Sequence, residues 1–150
     1  MDRLRKFMLL DGKDKRLYLS VILSLLATKA ALRFVSPKRL RAWLVPGARG
    51  ADRIDTTADP GELERLTLAI ERSGRLLARA GIHCLPQALV GYQLLRRKGF
   101  GVELKIGVRK DAHDRLVAHA WLVHEGDVVL GGLDKLPLFT PFPWPEGLPR

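Results

Sequence analysis

Cys84 is the only thiol in the chain. It stands in GIHCLPQAL, directly after His83 and two residues before Pro86. A thiol is a nucleophile only as its thiolate, and two devices produce one near neutral pH. The positive end of a helix dipole stabilises the anion, and an imidazole within hydrogen-bond reach takes the proton to give a thiolate–imidazolium pair. His119, in LVAHAWLVH, is the histidine whose setting suits that role. Such a pair needs a third group to orient the ring and donors for the oxyanion that forms when sulfur attacks a carbonyl. The unpaired N–H groups of a helix's first turn are such donors. Leu85 lies at that position, and Gln87 follows within a turn.

These roles require Cys84 to open a helix and His119 to lie on a neighbouring strand. Gly81 is a helix stop. Leu85, Ala88, Leu89, Tyr92 and Leu95 then recur at steps of three and four, and Arg96, Arg97, Lys98 and Gly99 close the helix. Pro86 fits a first turn, where its missing N–H costs nothing. After Gly99 the period changes to two. VELKIGVR and LVAHAWLVH read as antiparallel strands, and EGD then VVLGG as a hairpin turn and third strand. With Gly126-Asp127 as the turn, His119 faces Asp134, the orienting carboxylate this register selects. With Glu125-Gly126 as the turn, His119 faces Gly132 and Asp134 approaches diagonally or not at all. The proline-rich tail LPLFTPFPWPEGLPR is expected to cover the sheet irregularly rather than extend it.

Plainer readings stand beside these. A lone cysteine is often simply buried, and a histidine alternating with apolar residues fits a core position with one satisfied hydrogen bond. His83, His113 and His124 read as surface or loop residues, and Trp121 and Tyr92 as core.

Ahead of this unit, residues 14–34 read as a long helix, 37–44 as a short one opened by Ser36-Pro37, and 60–80 as a helix capped by Asp59. The division expected is an N-terminal helical segment over 1–45, a linker over 46–60 and the chemistry-bearing domain over 61–150. The 17–35 run is too short and too charged, at Lys29 and Arg33, to span a bilayer. It reads as a buried or membrane-surface helix. A peripheral membrane contact is therefore one reading of the +10 net charge, with an acidic protein partner another. No nucleic-acid motif is present, so nucleic acid is not expected as a partner. A single cysteine excludes an internal disulfide, argues against a thiolate zinc site and fits a reducing, cytoplasmic setting. At 47% hydrophobic the chain can build a core.

CLPQAL, LLRRKGF, LKIGVRKD and AHAWLVHEGDVVLGG, in this order and spacing, resemble the standalone proteases of lasso-peptide biosynthesis. These belong to the transglutaminase-like (papain-like) superfamily. The resemblance covers about residues 63–141. It implies an α+β fold, a Cys-bearing helix packed on a small antiparallel sheet behind an N-terminal helical segment. It also implies a cysteine peptidase that removes the leader from a ribosomally made precursor. Such an enzyme acts with a separate leader-recognition protein and ahead of an ATP-dependent cyclase. By position Cys84 matches the nucleophile and His119 the general base and acid, and no metal or organic cofactor is implied. The family's Asp is expected near the end of the strand after the hairpin, where this chain reads Gly131-Gly132. Asp134, a backbone carbonyl, another polar group or a partner must then take that place. A non-catalytic peptide-binding module and an acyltransferase of the same fold are the alternatives.

Overall fold

The computed structural model describes residues 11–35, 59–134 and 136–141. The expected 37–44 helix and all of the 46–60 linker but its last two residues lie outside them.

Helix α1 (Gly12–Leu32) opens on Asp11, whose carboxylate accepts from the Gly12 N–H. Helix α2 (Pro60–Leu76) opens on Asp59, which accepts from the Gly61 N–H, with Pro60 in the first turn. A short 3₁₀ turn (Ala78–Ala80) ends on Gly81 in the left-handed conformation. Helix α3 (Cys84–Arg97) then runs to a last turn rich in arginine. The sheet follows: β1 (Val102–Lys110), β2 (Leu116–His124), β3 (Asp127–Leu130) and β4 (Thr140–Pro141), antiparallel in the order β3-β2-β1-β4. The fold is α+β, three helices against a small antiparallel sheet among the described residues.

Strand alternation sorts the sheet into two faces. Val102, Ala120, Leu122 and Leu130 join Ile70 of α2 and Ala88, Val90 and Leu95 of α3 in one core. Gly91 of α3 lies directly on this face. A Cβ there would sit 2.6 Å from Leu130 and 2.9 Å from Leu122, so the helix approaches as closely as it does only because that position is glycine. The other face carries Lys105, Gly107, His119 and Trp121. The Trp121 ring lies over Gly107.

Helix α1 belongs to the same core. Val21 and Leu25 are fully buried with the α2 and α3 residues, Arg65 bonds Asp14 at 2.9 Å, and Lys29 donates to the Ala80 carbonyl. This helix, which falls in the N-terminal segment of the expected division, shares its interior with the residues after 60.

The structure decides between the two hairpin turns the sequence allows and corrects the expectation for the tail. The β2–β3 turn is Glu125-Gly126, both with positive φ (51° and 93°), the pattern of a two-residue hairpin whose twist matches its strands. His124 pairs with Asp127, so the register that begins from Gly126-Asp127 is excluded. A bulge then follows, Val123 pairing with Val128 but Leu122 with Leu130. The tail does extend the sheet, since Thr140-Pro141 pairs with Val108 and Gly107. A proline is tolerated there because β4 is an edge strand.

Candidate active site

Cys84 is the first residue of α3 and is partly buried. Its neighbour His83 occupies the N-cap without a side-chain hydrogen bond to the helix. Pro86, third in the helix, has no N–H. The first turn therefore presents the Cys84 and Leu85 N–H groups with no capping side chain of its own. Gln87 is placed against α2, its carboxamide occupying the space beside Gly74.

The connection from α3 to β1 fixes the direction of the helix. Phe100 bonds back to the Leu95 carbonyl and meets the His124 ring edge-on, so the C-terminal end of α3 lies at the His124 end of β2. Gly91 sits over Leu122. From Gly91 back to Cys84 is about 10 Å of helix, and from Leu122 back to His119 is about 10 Å of strand. Cys84 and His119 are thereby carried to the same end of the sheet. They start on different faces, because Ala120 and Leu122 point to the core and His119 alternates with them. No hydrogen bond joins the two side chains.

His119 is held by main chain. Its Nε2–H donates to the Gly131 carbonyl at 2.8 Å; a carbonyl only accepts, so the neutral ring keeps its proton on Nε2 and offers Nδ1 as the acceptor. The ring stacks on Trp121 (6.1 Å between centroids, 14° between planes) and meets Phe139 at 5.5 Å. Arg109 lies over the Phe139 ring. The carbonyl reaches the imidazole because β3 stops at Leu130, and Gly131 then turns the chain with φ 78°. A Cβ at Gly131 would lie 2.9 Å from the Ala120 carbonyl, so only glycine follows this path without strain. Strand pairing of β2 with β3 stops at Leu122, and beside His119 the edge of β2 meets the Gly131 backbone instead of a strand.

Asp134 lies beyond the end of β3, exposed, without a hydrogen bond to His119. Gly131, with Gly132, was legible as the place where the family's Asp would stand, but not as the residue whose carbonyl accepts from His119. The available signal was the Gly-Gly pair closing an apolar strand, a mark of close backbone approach. Of the other histidines, His83 and His113 are exposed, as expected. His124 is not a surface residue: its Nδ1 meets the Gly101 carbonyl at 2.9 Å and the ring is partly buried.

A family model described as the transglutaminase-like superfamily matches residues 23–143. The chain belongs to the transglutaminase-like superfamily. No curated protein and no solved structure gives a significant match. The match begins inside α1, in keeping with that helix's place in the transglutaminase-like core. Cysteine peptidases and acyltransferases are the typical activities of the superfamily. Both start with a cysteine attacking an acyl carbon. Among the described residues no helix is long and apolar enough to cross a membrane.

Proposed function

We propose that the chain is a cysteine peptidase that removes the leader from a lasso-peptide precursor. In this reading it works with a separate leader-recognition protein and ahead of the ATP-dependent cyclase. The observation that carries the catalytic part is His119 fixed as the Nε2–H tautomer by the Gly131 carbonyl, at the end of the sheet where the uncapped first turn of α3 presents Cys84. The leader substrate rests on the likeness of CLPQAL and AHAWLVHEGDVVLGG to the lasso-peptide proteases.

The steps follow from the assigned groups. Nδ1 of His119 takes the Cys84 proton, and the thiolate attacks the carbonyl at the leader–core junction. The oxyanion is held by the Cys84 and Leu85 N–H groups. The imidazolium protonates the leaving amine, the C–N bond breaks, and a thioester remains. Water, deprotonated by His119, then attacks the thioester, releasing the carboxylate and the thiol. The transfer requires the His119 ring and the Cys84 sulfur to come within hydrogen-bond reach, a contact of the kind that often tightens only with substrate in place. Gly131 takes the orienting role for which Asp134 is the other candidate.

The test is cleavage of a precursor peptide with the leader-recognition protein present. Cys84→Ala and His119→Ala each abolish release of leader while the fold survives. Release at the wild-type rate by Cys84→Ala ends the proposal. A labelled amine in the same assay separates hydrolysis from acyl transfer.

One observation favours a second reading, a non-catalytic peptide-binding module: no hydrogen bond joins Cys84 to His119. Thiol alkylation decides between the two. Fast reaction near neutral pH supports the peptidase, and an inert thiol supports the module.

A further inference from the structure

Helix α1 is apolar on two sides. Val21, Leu25 and Thr28 face the core. On the opposite side Leu19, Leu23 and Leu26 recur at steps of four and three, and they are 56%, 59% and 42% exposed. Ala30 continues the line, and Phe34, in the turn after the helix, is 85% exposed. A helix serving only the core has a polar outer face. This one exposes a stripe of large apolar side chains along most of its length, which in a soluble domain marks an interaction surface.

The charges around the stripe select its occupant. Arg16 lies on the line of the stripe, with Lys13 beside it at one end and Arg33 at the other. All three are exposed and without a carboxylate partner among the described residues. The acids of α1 are withdrawn from this face: Asp14 is on the core side, paired with Arg65, and Asp11 caps the helix. Large apolar side chains bordered by cations, with no carboxylate on this face among the described residues, match the interface of an anionic bilayer, where leucine and phenylalanine enter the acyl boundary and arginine meets phosphate. A second copy packed on the same stripe would set Arg16, Lys13 and Arg33 against their own kind. The chain's net charge of +10 adds to the attraction for the bilayer.

We propose that the outer face of α1, Leu19-Leu23-Leu26-Phe34 with Lys13, Arg16 and Arg33, lies flat on an anionic membrane surface. The helix docks in the interface without crossing it, and its inner face stays in the core. The proposal is independent of the catalytic reading, since none of these residues belongs to the Cys84–His119 site.

The test uses the full chain and sedimentation with vesicles at low salt. The protein pellets with equimolar phosphatidylcholine–phosphatidylglycerol vesicles, less with phosphatidylcholine alone, and is released as salt rises. The triple variant Leu19→Ser, Leu23→Ser, Leu26→Ser keeps every charge and loses binding about 10-fold or more. Its thermal transition stays close to wild type because the replaced side chains are exposed. Arg16→Glu with Arg33→Glu also loses binding. Wild-type protein remaining in the supernatant overturns the proposal. So does a triple variant that binds like wild type, which would assign the affinity to charge elsewhere. A wild-type dimer that the triple substitution splits, with no vesicle binding, would assign the stripe to a second copy instead.

Discussion

Gly131 holds His119 with a main-chain atom, so its contribution to the site survives no change that moves the backbone. An alanine there meets the Ala120 carbonyl at 2.9 Å and must also adopt φ 78°. In the proposed reaction, Gly131→Ala therefore lowers the rate of leader release by on the order of 10²-fold if the carbonyl sets the base. Asp134→Ala, which leaves the His119–Gly131 bond in place, changes it by less than about 3-fold. Comparing the two variants in one cleavage assay, with melting curves as the folding control, separates the two orienters. A large loss in Asp134→Ala with little in Gly131→Ala would return the role to the carboxylate.

At the scale of elements, the α3–sheet contact depends on one missing side chain. Gly91→Ala drives a methyl into Leu122 and Leu130 and costs about 1–3 kcal/mol, read as a lowered midpoint in urea. The β1–β2 connection depends instead on a carboxylate. Asp111 accepts from the backbone N–H groups of Arg115 and His113 and from the Arg115 guanidinium. The Arg115 backbone bond, followed by its side chain, holds this carboxyl below the ordinary aspartate value. A depressed folded value means that the contribution is present above the unfolded value of about 3.9 and is lost as pH falls through the folded one. Acidification below about pH 4 should loosen this turn, seen as faster amide exchange at His113 and Arg115. In Asp111→Asn that acid step should be absent.

For the molecule as a whole, the N-terminal helix is structural rather than appended. Leu25 is fully buried among residues of the core. Leu25→Ala therefore costs about 2–5 kcal/mol, measurable as a shift of one cooperative unfolding transition. A separate early transition, with the residues after 60 unaffected, would instead show that α1 folds alone.

Periodicity, caps and glycine stops fixed in advance where α3, β1 and β2 run. They also put Cys84 at a helix tip and His119 on the second strand, because these signals depend on near neighbours in the chain. The resemblance of CLPQAL and AHAW to known proteases pointed to the superfamily. Three things needed the tertiary structure. The hairpin register and its bulge depend on how Leu122 and Leu130 meet Gly91, a long-range packing choice that local pattern does not encode. The partner of the His119 ring is a carbonyl, which every residue carries, so residue type could not name it. The burial of one face of α1 and the exposure of the other follow from which helices it meets, since a sequence apolar on both sides gives no preference of its own.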